Sequence, residues 1–141
     1  MQLEKHFDVR KPRDAVARVV AQDDTLLNLF PDTEVEIVEC EGPRRTVVTR
    51  YTALGKPGTA TFHFTFESGG DVVFEKVCDG NVWRELRGAV TLTERGKGTR
   101  VRIETRGRTK ALIPEFTIRG PMQDQIDQMA GTLRTRIAEQ A

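Results

Sequence analysis

Apolar and polar positions follow two rhythms along this chain. Leu3, Lys5, Phe7 and Val9 alternate with Glu4, His6 and Asp8, the two-residue period of a strand with one greasier face. The period then lengthens: Pro12 suits a first helical position, Asp14 favours the positive end of that helix, and Ala15, Val16, Val19 and Val20 make its buried stripe. A second short helix is expected from about Asp24 to Leu29, stopped by Pro31. From Thr33 to Arg108, runs rich in Val, Thr, Phe and Ile are separated by Gly-bearing turns at Gly42, Gly55 to Gly58, Gly69-Gly70, Asp79-Gly80-Asn81 and Gly96-Lys97-Gly98. That spacing predicts six further strands in an antiparallel meander. Finally Met122, Ile126, Met129, Leu133 and Ile137 recur every three or four residues, the mark of a long amphipathic helix. Pro114 is placed to open it early, in which case Gly120-Pro121 would kink it.

A meander with one apolar face needs a cover, and the terminal helix is the strongest candidate. The expected fold class is α+β, a curved antiparallel sheet of about seven strands wrapped around a long C-terminal helix, with two short helices after strand 1. Residues 1–141 are read as one domain, long enough to bury a core and still spare volume for a pocket.

Turn lengths predict which side chains face the helix. Taking Gly69-Gly70 and Gly80-Asn81 (or Asp79-Gly80) as two-residue hairpin loops puts Phe62, Phe64 and Phe66 on one face with Val73, Glu75 and Val77, then Val82, Arg84 and Leu86. Gly88, Val90 and Leu92 continue it, followed by Val101, Ile103 and Thr105. Glu75 and Arg84 thereby meet on an apolar surface. They are read either as a polar anchor for a ligand or as a structural ion pair, and a bulge or a one-residue slip would turn them to solvent. The same register turns Phe74 and Trp83 outward.

Several of these segments carry a resemblance. Phe7-Asp8-Val9 followed by the helix from Pro12 to Val20, the strand Gly88-Ala89-Val90-Thr91-Leu92, the turn from Gly96 to Val101 and the long terminal helix together resemble the helix-grip superfamily. That superfamily, often called SRPBCC, includes START domains, the pollen allergen and plant hormone receptor group, and polyketide cyclase and dehydrase-like proteins. The resemblance spans nearly the whole chain and implies a cavity between sheet and helix that holds lipids, sterols, quinones, polyketides or hormones; a minority of members catalyse cyclisation or hydrolysis. The ligand-binding candidates here are Phe62, Phe64, Phe66, Glu75, Arg84, Leu86, Val90, Ile103, Phe116, Met122 and Met129. Met122, Met129 and Phe116 would form an adaptable wall on the helix, or simply core.

Composition narrows the chemistry. A formal net charge of +1 gives no global field to attract nucleic acid, so basic recognition would have to be local. Arg100, Arg102, Arg106 and Arg108 do make an outer basic stripe, but the resemblance implies that the first strand lies beside the last, where Glu4 and Asp8 would neutralise part of it, as would Glu85 and the intervening Glu104, and a solvated face is the preferred reading. His63 is expected to point outward, and His6 reads as a surface residue. With two histidines and no cluster of ligating residues, neither a metal nor another cofactor is expected. Ser68, the only serine, lies in a turn, against a Ser-His-Asp hydrolase. Gly96-Lys97-Gly98 lacks the context of a dinucleotide fingerprint. Cys40 and Cys78 are read as two reduced thiols. No stretch approaches a membrane span and none resembles a signal peptide, so a cytoplasmic location without stable membrane insertion is expected.

The leading expectation is a carrier or binding protein for a small hydrophobic molecule. The alternatives are a cofactor-independent cyclase or dehydratase using Glu75 and Arg84, or a protein-interaction module acting through the basic stripe or Phe74 and Trp83. The sequence leaves the ligand, catalysis and homodimer formation open.

Overall fold

A computed structural model describes residues 1–30, 33–53, 55–80 and 82–141. The expected helix stop at Pro31 and the Asn81 half of one turn lie outside the described residues. Seven strands are formed: β1 (Gln2–Val9), β2 (Glu34–Glu41), β3 (Arg44–Ala53), β4 (Lys56–Phe66), β5 (Val72–Lys76), β6 (Trp83–Arg95) and β7 (Gly98–Thr109). Three helices accompany them, α1 (Arg13–Val20), α2 (Asp23–Leu27) and α3 (Phe116–Gln140). The strands pair antiparallel in the order β1-β7-β6-β5-β4-β3-β2, so the meander is closed by β1 laying itself beside the last strand. This is the expected curved sheet around a terminal helix.

The amphipathic stripe of α3 is its buried side. Met122, Ile126, Met129, Ala130, Leu133 and Ile137 all turn inward, against Leu3 and Phe7 of β1, Val101 and Ile103 of β7, and Val16, Val19 and Val20 of α1. Ile103, Ile137, Val101 and Val16 are wholly excluded from solvent. At ~1.5–3 kcal/mol for each fully buried large aliphatic chain, this cluster dominates the stability of the sheet-helix contact. Two arginines fix the smaller helices. Arg13 donates to the carbonyls of Leu92 (3.1 Å) and Gly69 (2.5 Å), tying α1 to β6 and the β4–β5 loop. Arg136 of α3 donates to the Thr25 hydroxyl (3.0 Å) and the Asp24 carboxylate (2.6 Å), tying α3 to α2.

Helix starts differ slightly from expectation. Pro12 stands just before α1, in extended conformation with φ −65° and ψ 151°, rather than at its first helical position. Pro114 likewise precedes α3, which runs through Pro121. Pro121 has no amide to donate, so the carbonyl of Thr117 loses its usual donor in the ladder.

The register corrects the expected faces at two points. The β4–β5 loop spans five residues, Glu67 to Asp71, closed by the Glu67 amide donating to the Asp71 carbonyl (2.8 Å); an odd loop shifts parity relative to a two-residue turn. Phe62, Phe64 and Phe66 therefore pair with Lys76, Phe74 and Val72, and Glu75 pairs with His63 on the outer face. In β6, a bulge between Trp83 and Glu85 re-aims the strand start, so Trp83 faces inward and Arg84 is exposed. Beyond the bulge Leu86, Gly88, Val90 and Leu92 face inward as expected, as do Val101, Ile103 and Thr105.

Candidate functional site

Short side chains leave space where long ones would have filled it. On the inner face of β3 and β4, Thr49 and Ala60 are cross-strand partners, and the Thr49 hydroxyl donates to the Ala60 carbonyl (3.2 Å) rather than reaching across to the helix. The N-terminal part of α3 stands over this region with Met122 and Gln125. Between them lies a cavity of about 300 Å³, at the lower bound of the ~300–1,000 Å³ typical of small-molecule sites. Its apolar wall is Phe30, Ala60, Phe62, Val82, Trp83, Leu86 and Met122. Polar atoms come from Thr33, Thr49, Tyr51, Thr59, Lys76, Asp79 and Gln125.

Trp83 owes its place to Gly107. A Cβ on Gly107 would stand 2.6 Å from the Trp83 ring and 3.0 Å from Leu86 Cδ1, so only a residue without a side chain lets both lie flat against β7. Phe74 depends in the same way on Gly88, where a Cβ would collide with its ring and with the Glu104 carbonyl. Phe74 then stacks on Phe64 with ring centroids 5.3 Å apart. Both Phe74 and Trp83, expected on the outside, are buried. An interaction surface built on that aromatic pair is thereby withdrawn.

The expected ligand-binding residues separate into four groups. Phe62, Leu86 and Met122 line the cavity. Phe64, Val90, Ile103 and Met129 are packed core beside it. Phe66 is half-buried, with the Arg45 guanidinium 5.8 Å from its ring centroid. Glu75, Arg84 and Phe116 are exposed: the first two for the parity and bulge just described, and Phe116 (81% exposed) because it sits on the solvent side of the first turn of α3. Glu75 and Arg84 therefore do not form a pair in the cavity. Among the lining residues that sequence reasoning missed are Lys76, Trp83, Tyr51, Thr49 and Gln125. A signal for one of them was present, because Trp83 and Leu86 are three apart, a spacing that a strand accommodates on one face only through a bulge.

A second, larger concavity of about 630 Å³ lies on the outer face of the sheet, where Thr65, Val73 and Ala89 form a low row across β4, β5 and β6. Its rim is charged, with Arg44, His63, Glu75, Arg87, Glu104 and Arg106. His63 shares a 3.0 Å hydrogen bond with the Thr46 hydroxyl through Nδ1. Further along that face the arginine stripe of β7 is neutralised as expected. Arg100 makes a two-pronged bond to Asp8 (2.8 and 3.2 Å), Arg102 meets Glu4 and Glu104 (2.8 and 2.9 Å), Arg106 meets Glu104 (3.5 Å) and Arg108 meets Glu85 (3.4 Å). The Arg100 bond holds the Asp8 carboxyl below its ordinary value, and Asp8 raises Arg100 in return. Among the described residues no group of three or more His, Cys, Asp or Glu is placed to share a metal ion, and no helix is long and apolar enough to cross a membrane.

No family model matches the sequence, and neither does any curated protein. Solved structures do. A protein of Thermus thermophilus superposes over 99% of this chain and 98% of its own, with a TM-score of 0.79 and 19% identity. The Zhui aromatase/cyclase of Streptomyces sp. R1128 matches 99% of this chain and 92% of its own, at 0.76 and 17%. A STAR-related lipid transfer protein of Xanthomonas axonopodis matches 97% and 85%, at 0.69 and 17%. The chain thus has the START-like helix-grip fold that its sequence resembles, and identities this low carry the fold alone.

Proposed function

We propose that this protein binds a small, mainly apolar molecule in the cavity between its sheet and the N-terminal part of α3. One observation carries the reading: Phe62, Trp83, Leu86 and Met122 line unfilled volume in a domain whose other end is closely packed. Large aromatic and aliphatic surfaces beside open volume are what an apolar ligand needs, and the scattered hydroxyls and amide would orient it. Structural neighbours that include an aromatase/cyclase and a lipid transfer protein support a lipid or polyketide-like occupant. The exposure of Glu75 and Arg84 takes away the acid-base pair on which a cyclase reading was built, so binding or transport is preferred over catalysis.

Trp83 is the only tryptophan and lies in the wall, which makes it an internal reporter. Titration with the neutral probe N-phenyl-1-naphthylamine is expected to quench Trp83 emission saturably as the dye takes up energy in the cavity. Ala60→Trp, which fills the space, is expected to weaken binding at least tenfold while the circular dichroism spectrum is preserved. Dye binding unaffected by Ala60→Trp would overturn the assignment.

A further inference from the structure

Among the described residues the cavity has one cationic group in its lining, and those residues give it little to bond. Lys76 is the cross-strand partner of Phe62, on the inner face of β5, and is half-buried. Its ammonium donates to the Val77 carbonyl at 3.3 Å. Twelve ion pairs are formed among the described residues, and none involves Lys76. Among the described residues the only carboxylate in the lining is Asp79, which is exposed and makes no ion pair with that ammonium. An ammonium carries three donors, and a partly desolvated one with a single long bond to a neutral carbonyl is under-used.

Position decides what would complete it. Lys76 is the cross-strand partner of Phe62 and lines the same cavity as Trp83, Leu86 and Met122, so an apolar wall and an ammonium-bearing side chain border one volume. Thr and Gln side chains of the lining add neutral donors and no positive charge. Resting on the binding reading above, we infer that the ligand is an acidic amphiphile, an apolar body bearing one carboxylate that pairs with Lys76. The pairing is charge-assisted, and the low dielectric beside Trp83 and Phe62 strengthens it relative to a surface pair.

Matched ligands test this directly. Decanoate and decanol share a chain and differ in the head, and both are read by displacement of N-phenyl-1-naphthylamine. The native protein is expected to prefer decanoate by at least tenfold at low salt, with the preference shrinking as salt is added. Lys76→Met is expected to abolish the preference by weakening decanoate more than decanol, while Lys76→Arg keeps it. Equal affinity for the two ligands in the native protein, or a preference that survives Lys76→Met, would overturn the Lys76 assignment and leave the apolar binding site standing. Dye that binds but is displaced by neither ligand would overturn this inference alone, whereas failure of the dye itself to bind saturably would overturn the binding reading and this inference together.

Discussion

One helix covers two unlike regions of the same sheet. Over β1, β7 and the second half of β6, α3 presses Ile126, Met129, Leu133 and Ile137 into Leu3, Phe7, Val101 and Ile103, and almost nothing there reaches solvent. Over β3 and β4 the same helix, one to two turns nearer its start, faces the short side chains of Thr49 and Ala60, and volume remains. The difference lies in side-chain size on the sheet rather than in any change of backbone plan. Long aliphatics at one end anchor the helix, and that anchoring frees the other end from having to fill itself.

Truncation at the two ends should separate these roles most clearly. Ile103→Ala is expected to cost ~2–5 kcal/mol in urea unfolding, because the close-packed neighbours cannot collapse into the hole. Leu86→Ala removes atoms that already border open space, so its cost should fall below that of Ile103→Ala while its effect on dye affinity is greater. Equal costs would mean the two ends are packed alike. Gly107→Ala acts on the boundary between them. The new methyl displaces Trp83 and Leu86, with an expected cost of ~1–3 kcal/mol and a shift in tryptophan emission that Ile103→Ala does not produce. Arg136→Met reaches the hold of α3 on α2; because Thr25 keeps its 2.7 Å bond to the Val19 carbonyl, a loss of about 1 kcal/mol is expected in thermal or urea unfolding.

The smallest effect belongs to the outer face. Asp8, held low by Arg100, contributes stability above the ordinary carboxylate range, and this contribution is lost as pH falls through its depressed value. The difference in melting temperature between the native protein and Asp8→Asn should therefore be present at neutral pH and close on acidification. Solvent screens this exposed pair, which keeps the difference small. A gap that widens in acid would reverse the sign assigned to Asp8.

Much of this architecture was legible because its signals are periodic and redundant. Seven strands, two short helices and the buried stripe from Met122 to Ile137 follow from spacing, whereas the neutralised arginine stripe followed from the helix-grip resemblance, which places β1 beside β7. The site was harder. Val72, Val73 and Phe74 are three apolar residues in succession, so alternation could not choose a parity for β5, and the choice rested on the length of the Gly69-Gly70 turn. Asp71 decided it by closing a longer loop and accepting a hydrogen bond from the Leu92 amide (2.9 Å), a contact between residues 21 apart. One residue of parity exchanged Glu75 for Lys76, and with it the sign of the charge offered to a ligand. Phe116 was misplaced for a simpler reason, since helical spacing at the first turn does not reveal how far the helix extends past the sheet.

The far margin of the sheet has its own consequence for behaviour in concentrated solution. β2 is an end strand, and unpaired backbone groups on an end strand are a template for another copy. Its sequence places Glu34, Glu36, Glu39 and Glu41 along that margin, all exposed, and its register slips between Ile37 and Glu39. Two copies brought together there would confront like charges on strands that are not straight. The charge that opposes self-association thus sits on an end strand of the sheet, and replacing those four glutamates with threonine is expected to increase self-association through that margin, read by light scattering.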